Sequence, residues 1–261
     1  MVVITENNRD IIIDAVKGMY TELARRPDGE FHFAKGRVGC EHVGYSAEEL
    51  GSIPSGSVES FAGVGYPFQA GVIRTGDDVL DVGSGSGTDA LLASLLVGPT
   101  GTVQGLDMTA AMRAKLERCA AEMGAENVST IDGNAEDIPL ADASIDVVTS
   151  NGVLNLVPDK AMAIREIFRV LRPGGRVQIS DIVVDIPPSD ACKAQPQLWA
   201  ECIVGAVGID LYRGHLTDAG FEDIEILETV DYFDASPSEE TEKVASSFGA
   251  HAVVLTATKP A

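Results

Sequence analysis

Residues 79–89 read VLDVGSGSGTD: a short apolar run, three glycines at alternate positions and the start of a helical pattern. The apolar run predicts a buried strand, and the glycines predict a turn whose backbone adopts unusual φ angles and approaches a ligand closely. Twenty residues after the last glycine, Asp107 closes a second apolar run, TVQGLD. An acid at this place in a nucleotide-binding α/β fold receives ribose hydroxyls. Together the two runs predict a nucleotide cofactor at the end of the first strand.

Two nucleotide cofactors compete for such a turn. Dinucleotide binders prefer GxGxxG, whereas the spacing here is GxGxG, and Asp81 stands two residues before the first glycine. A carboxylate at Asp81 attracts a cationic sulfonium with an amino-acid tail and repels a pyrophosphate. The motif therefore favours S-adenosylmethionine, while NAD and a turn without a ligand remain the alternatives. The cofactor-binding residues predicted from the motif are Asp81, Gly83, Gly85, Gly87 and Asp107.

From Asp77 onward the chain alternates β-branched runs with helical segments, which is typical of a parallel sheet with crossover helices. The patterns predict five strands, at 78–83, 102–107, 127–132, 144–150 and 176–184. A late pair of strands, at 222–230 and 251–258 with an acidic loop at 231–242 between them, predicts an antiparallel edge. The fold class is therefore α/β, with a Rossmann-like, seven-stranded and mostly parallel sheet.

The N-terminal part of the chain has a different pattern. We expect residues 1–70 to form a cap on the substrate side of a cofactor-binding domain that comprises residues 71–261. A helix is predicted at 8–25, whereas the Gly-, Pro- and Ser-rich residues 26–71 predict only short strands or loops. Residues 187–208 interrupt the later alternation and contain the only tryptophan, which predicts a helical insertion beside the site.

The charge balance disfavours several partners. The chain has 40 acidic and 19 basic residues, a formal charge of −21, and no run of Lys or Arg. Because phosphate backbones and anionic membranes attract clustered basic residues, neither nucleic acid nor a membrane is expected as a partner. A solvated acidic surface explains the charge, and adaptation to high salt is the alternative. The N-terminus has no signal-peptide pattern and no apolar run is long enough to span a membrane, so we expect a cytoplasmic protein.

The cysteine and histidine patterns predict neither disulfides nor a metal site. Four cysteines lack CxxC spacing and are expected to be free thiols: Cys40, Cys119, Cys192 and Cys202. His32 lies between two phenylalanines and could serve as a general base for a hydroxyl or amine acceptor, with a packed histidine as the alternative. A metal would need more ligands at closer spacing. Trp199 and Tyr66 either border an organic acceptor or fill the core.

Several stretches carry a resemblance to a known family. They are DVLDVGSGSGTD (78–89), GLDMT (105–109), NAEDIPL (134–140), SNGVLNLVPDK (150–160) and EIFRVLRPGGRVQISDIV (166–183). The chain resembles the arsenite methyltransferases and their relatives among the class I S-adenosylmethionine-dependent methyltransferases, from about Gly44 to Gly208. SNGVLNLVPDK and WAECIVGA (199–206) are the stretches most similar to the arsenite branch.

The resemblance implies roles for individual residues. Met108 would lie against the adenine, Ala135 and Glu136 near its edge, and Asn151 at the end of the fourth strand. Gly83, Gly85 and Asp107 receive cofactor roles from the resemblance as well as from the motif. Asn151 would also orient the acceptor or the cofactor.

The resemblance also places cysteines that would hold arsenic(III), a soft ion that proteins bind through thiolates. Gly152 stands directly after Asn151, where arsenite enzymes of this type carry a cysteine, and Val64 stands at a second such position. Cys202 falls on a family thiol position, and Cys40 could add a second thiol from the cap. The candidate catalytic residues are therefore Cys202, Cys40, Asn151 and His32.

Three functions remain open. The resemblance implies methyl transfer to a thiol-bound metalloid, arsenite above all. The second is O-, N- or C-methylation of a small organic metabolite on the same fold. The third is a nicotinamide-dependent oxidoreductase or a cofactor-binding protein without catalysis. In either methyltransferase a small-molecule acceptor is the expected partner, and the protein contributes proximity and exclusion of water. The sequence indicates no oligomeric state.

Overall fold

A computed structural model describes residues 6–189, Cys192, Trp199 and residues 203–261. Within these residues seven strands form one sheet in the order β3-β2-β1-β4-β5-β7-β6. The strands are β1 (Asp78–Val82), β2 (Thr102–Asp107), β3 (Val128–Asp132), β4 (Ile145–Asn151), β5 (Leu171–Val183), β6 (Glu222–Val230) and β7 (His251–Thr258). The predicted α/β class and the seven-stranded, mostly parallel sheet are confirmed.

The pairing of the strands explains where a ligand can bind. β1 is parallel to both β2 and β4, while β5 and β6 each pair antiparallel with β7, as predicted for the late pair. The chain runs from β1 outward to β3 and then returns to the other side of β1 as β4. Such a reversal leaves a crevice beyond the carboxyl ends of β1 and β4, the usual ligand site of open parallel sheets.

Helices cover both faces of the sheet. They are α1 (Glu6–Arg25), α2 (Gly36–His42), α3 (Ala47–Gly51), α4 (Ser55–Val58), α5 (Thr88–Val97), α6 (Ala110–Met123), α7 (Lys160–Val170), α8 (Ile209–Ala219) and α9 (Glu239–Phe248). Because neighbouring strand residues point to opposite faces, Val79 packs with α5, α6 and the N-terminal helices, whereas Leu80 packs with α7 and α8. The central strands are therefore buried on both sides.

Two segments predicted as loops contain helices. In residues 26–71 the structure has α2–α4, and α3 begins with a capping box in which Ser46 accepts from the Glu49 N–H at 3.2 Å and Glu49 accepts from the Ser46 N–H at 2.8 Å. The predicted acidic loop contains the first turn of α9, capped by Ser238. The acids there favour a helix because they lie near its positive end.

Three further predictions concern membrane helices, the insertion at 187–208 and the division of the chain into a cap and a domain. No helix in the described ranges is long and apolar enough to cross a membrane. The proposed insertion at 187–208 falls largely outside the described residues, as does Cys202. The division into a cap of residues 1–70 and a domain of residues 71–261 stays a prediction. Below, the N-terminal segment means residues 6–70.

Candidate active site

A cavity lies at the crevice beyond β1, β2 and β4. Its wall includes the turn at residues 83–86, Asp107 and Met108 at the end of β2, and residues 151–153 at the end of β4. Side chains of α1 complete the enclosure from the N-terminal segment: Ile13, Val16 and Tyr20. The sheet topology thus brings the glycine-rich turn and the acid of β2 to one place, as the sequence predicted.

Each of the three positions in the turn requires glycine for a different structural reason. All have positive φ: +72° at Gly83, +52° at Gly85 and +98° at Gly87. A Cβ on Gly83 would lie 2.3 Å from Val153, and a Cβ on Gly87 would lie 2.3 Å from Leu116. A Cβ on Gly85 would reach only the Gly83 carbonyl oxygen, at 4.0 Å. Gly85 therefore leaves open space beside the cavity, whereas Gly87 packs against α6 and does not line the cavity.

Asp107 is fixed at the cavity by the backbone around it. Its Oδ2 accepts from the Gly85 N–H at 2.9 Å and its Oδ1 from the Thr109 N–H at 2.7 Å. Burial raises the pKa of Asp107, and these hydrogen bonds oppose that rise. Each carboxylate oxygen has a further lone pair with which to accept a ligand hydroxyl. Met108 and Ala135 line the same cavity.

Asp81 provides a test of whether the site suits a cationic cofactor. The residue lines the cavity and is buried, and Oδ2 has no hydrogen-bond partner within the described residues. Burial and the repulsion of Asp89 and Asp107 raise the pKa of Asp81 well above its usual range. A buried polar atom without a partner is unfavourable, and a cationic ligand would relieve it. The residues therefore fit the ammonium and sulfonium groups of S-adenosylmethionine.

Asn151 reaches the cavity wall, but its amide binds the N-terminal segment. Oδ1 accepts from the N–H groups of Val64 at 2.7 Å and Gly65 at 3.2 Å, while Nδ2 contacts the Gly65 carbonyl oxygen at 2.9 Å. Nδ2 also lies 3.1 Å from the Tyr45 hydroxyl and 3.1 Å from Asp89 Oδ2. The predicted residue is thus at the site, where its amide holds neighbouring groups in place.

Tyr45 and Asp89 were not identified from the sequence. The Tyr45 hydroxyl donates to Asp89 Oδ1, and Asp89 lines the cavity. Burial raises the pKa of Asp89 to about 6, and the hydrogen bonds from Tyr45 and Asn151 oppose that rise. Asp89 lies inside the glycine-rich motif, but no local pattern links it to a tyrosine 44 residues earlier.

Glu136, which the resemblance places near the adenine edge, lies beside the cavity and makes contacts with two other elements. Its carboxylate is buried, forms an ion pair with Arg9 of α1 and accepts from the Asp159 N–H at 2.6 Å. It does not line the cavity, unlike its neighbour Ala135. Glu136 therefore joins α1 to the start of α7 over the site.

The described catalytic candidates other than Asn151 do not line the cavity. Cys40 is fully buried, and burial together with Asp89 raises the pKa of its thiol. His32 packs edge-on against Phe33 at 4.9 Å, and its carbonyl oxygen accepts from Ser236. No thiol occurs among the described residues that line the cavity.

Two of the positions where the family resemblance implies cysteines, Gly152 and Val64, adjoin each other here. Gly152 lines the cavity with φ +71°, and a Cβ on it would lie 3.1 Å from Cγ1 of Val64. The aromatic candidates lie elsewhere: Trp199 is buried beside Lys160, and the Tyr66 hydroxyl donates to Glu49. This part of the wall is therefore apolar.

Comparisons with known proteins identify this chain as similar to methyltransferases. The family model described as a methyltransferase domain matches residues 73–230. The chain is similar to the arsenite methyltransferase of Halobacterium salinarum, with 42% identity over 188 residues, which are 72% of this chain and 48% of that protein. The arsenite methyltransferase of Aquipseudomonas alcaligenes is 39% identical over 166 residues, 61% of this chain and 48% of that protein. The chain spans about half the length of these curated relatives.

Solved structures agree with the sequence comparisons. The arsenic(III) S-adenosylmethionine methyltransferase of Chlamydomonas reinhardtii matches with a TM-score of 0.64 and 31% identity, covering 87% of this chain and 75% of that one. Phosphoethanolamine N-methyltransferase 2 of Haemonchus contortus, in complex with S-adenosylmethionine, matches with a TM-score of 0.59 and 20% identity, covering 85% and 59%. The latter shares the fold alone.

Proposed function

The chain belongs to the family of methyltransferase domains, and from that premise we propose that it methylates a small organic acceptor that is neutral or positively charged. The observation that carries the proposal is the lack of basic side chains among the described residues that line the cavity. The described wall contains three carboxylates, Asp81, Asp89 and Asp107, and no Lys, Arg, His or Cys.

S-adenosylmethionine, the cofactor of this class of enzyme, would supply a methyl group bound to a sulfonium, with the thioether of S-adenosylhomocysteine as the leaving group. Asp107 would accept its ribose hydroxyls, Met108 and Ala135 would flank its adenine, and Asp81 would face its cationic amino-acid end. The apolar side chains of α1 exclude water from the cavity. The protein's own part is to bind and orient, and no covalent enzyme intermediate is required.

The surroundings of the cavity disfavour an anionic acceptor. A carboxylate or phosphate that enters loses its hydration, and no basic side chain of the described wall compensates it. A neutral acceptor can pack instead against Phe61, Val153 and Leu156, which line the same space. A cationic acceptor likewise meets no basic side chain in the described wall that would repel it.

Arsenite is the second candidate acceptor, and the arsenite methyltransferase relatives favour it. It requires thiolate ligands. In this chain Gly152 and Val64 occupy two of the thiol positions that the family resemblance implies, and Cys40 is buried outside the cavity. Cys202 is then the remaining family thiol, and glutathione would have to supply the others.

Release of S-adenosylhomocysteine from the full chain tests both candidates. A panel should pair each neutral or cationic nucleophile with its carboxylated or phosphorylated analogue and should include arsenite with glutathione. We expect a neutral or cationic member to have a kcat/KM at least about tenfold above that of its anionic analogue, which corresponds to about 1.4 kcal/mol. Preference for the anionic analogue would overturn the proposal. Arsenite turnover that Cys202→Ser abolishes and Cys192→Ser preserves would establish the second candidate.

A further inference from the structure

Tyr45 of the N-terminal segment lies behind the wall of the cofactor cavity, where its hydroxyl contacts a residue that lines the cavity. It is buried, and its hydroxyl donates to Oδ1 of Asp89. The other oxygen of Asp89 lies 3.1 Å from Nδ2 of Asn151, and this nitrogen is also 3.1 Å from the Tyr45 hydroxyl. The three side chains form a closed triangle, and Asp89 and Asn151 line the cavity.

The triangle continues into the N-terminal segment. The Tyr45 ring packs edge-on against Phe61 at 5.2 Å and against Tyr66 at 4.9 Å. Asn151 holds the backbone of Val64 and Gly65. Since Phe61 lines the cavity, the same contacts that fix Asp89 also fix the wall on the acceptor side.

We propose that Tyr45 is a positioning residue, which orients Asp89 toward the cationic amino-acid end of S-adenosylmethionine and links cofactor binding to the N-terminal segment. The proposal depends on the cofactor of the methyltransferase and not on which acceptor is methylated. Tyr45 itself does not line the cavity, so it acts through Asp89.

The hydrogen bond between Tyr45 and Asp89 should affect how cofactor binding depends on pH. Burial raises the pKa of Asp89 to about 6, and the donated hydrogen bonds favour its ionised form. The titratable groups that interact with Asp89 are Asp81 of β1, Cys40 of α2, Tyr45 and Tyr66. Loss of the Tyr45 hydroxyl removes a donor to the carboxylate and raises the pKa of Asp89 further. A smaller fraction of Asp89 is then ionised near neutral pH, and attraction for a cationic ligand falls.

The test is calorimetric titration of S-adenosylmethionine into the full chain between pH 5 and pH 8. For Tyr45→Phe we expect the Kd to rise about three- to tenfold at pH 6.5 and to approach the wild-type value at pH 8. Tyr66→Phe is the matched control, because it removes a hydroxyl from the same aromatic group, but that hydroxyl donates to Glu49 instead of Asp89. Its Kd should stay within about twofold of wild type at every pH.

A penalty for Tyr45→Phe that is independent of pH, or equal to that of Tyr66→Phe, would overturn the proposal, since a purely structural role predicts that result. If Tyr45→Phe does not fold, Asp89→Asn decides. In wild type the affinity for S-adenosylmethionine should fall as the pH decreases through about 6, and in Asp89→Asn this fall should disappear. If Asp89→Asn shows the same fall as wild type, the proposal is overturned. Because binding is measured without an acceptor, the result is independent of the acceptor panel.

Discussion

Gly152 lines the cavity and adjoins the buried Val64, with 3.1 Å between a Cβ built on the glycine and Cγ1 of the valine. These are two of the positions at which the resemblance to arsenite methyltransferases implies thiols. We therefore expect Val64→Cys with Gly152→Cys to bind arsenic(III) at least about tenfold more tightly than either single variant, since two thiols would act together. Competition with a trivalent arsenical dye measures this binding.

The single change Gly152→Cys should instead lower stability by about 1–3 kcal/mol, because a side chain is strained at φ +71°. Thermal unfolding of both variants separates this effect from binding. Equal arsenic affinity in the single and double variants would contradict the inferred adjacency.

Asp107 is expected to be required for cofactor binding. Asp107→Ala should weaken S-adenosylmethionine binding by about 1–3 kcal/mol, because it removes the acceptor for the ribose hydroxyls and leaves two backbone N–H groups without their partner. Asp132→Ala is the control: this acid closes the adjacent strand β3 and is exposed, outside the cavity. Calorimetry that finds equal affinity for wild type and Asp107→Ala would remove Asp107 from the site.

Arg9 is expected to hold α1 over the cavity through Glu136. The glutamate is buried, so Arg9→Ala leaves a buried charge without its ion-pair partner. We expect faster amide hydrogen exchange in α1 and a severalfold faster release of the cofactor. Arg26→Ala removes an exposed ion pair with Glu22 at the end of the same helix and should change neither quantity. Identical exchange in the two variants would disprove the role of Glu136.

Cys40 should be unreactive in the folded protein. Its thiol is fully buried and its pKa is raised, whereas Cys192 is only half-buried. Iodoacetamide at pH 8 should modify Cys192 first, and Cys40 only after denaturation. Peptide mass spectrometry distinguishes the two sites. Modification of native Cys40 at the rate of Cys192 would place this thiol in contact with solvent.

Salt should raise the melting temperature. The formal charge of −21 creates repulsion among surface acids, and added ions screen it. Calorimetric scans in NaCl from 0.1 M, where the Debye length is about 10 Å, upward should show a continuing rise. A constant melting temperature over that range would favour an ordinary solvated acidic surface over the alternative of adaptation to high salt.

Local patterns were sufficient for the sheet and for one side of the site. The strand, glycine turn and helix of residues 79–89 form within one short stretch, and Asp107 joins them because parallel strands end at the same edge. The predicted places of Asp81, Gly85 and Asp107 at the cavity follow from these neighbours. The helices α2–α4 are too short for an apolar period to reveal them.

The other side of the site depends on distant contacts. Tyr45 meets Asp89 across 44 residues, and Arg9 meets Glu136 across 127. Neither pair has a spacing that a sequence pattern could reveal. Cys40 shows the same dependence: its residue type suggested a ligand, and only the fold shows that its thiol is packed in the core.

The place of β7 has a consequence for synthesis on the ribosome. β7 lies between β5 and β6, pairing with β5 from Arg176 opposite Thr258 to Val183 opposite His251. Of the seven strands in the described sheet, the one translated last is therefore interior to it, and β5 and β6 cannot reach their final places until residue 258 has left the exit tunnel. Until then β5 has an unpaired edge on the side that β7 later covers, and such an edge favours aggregation.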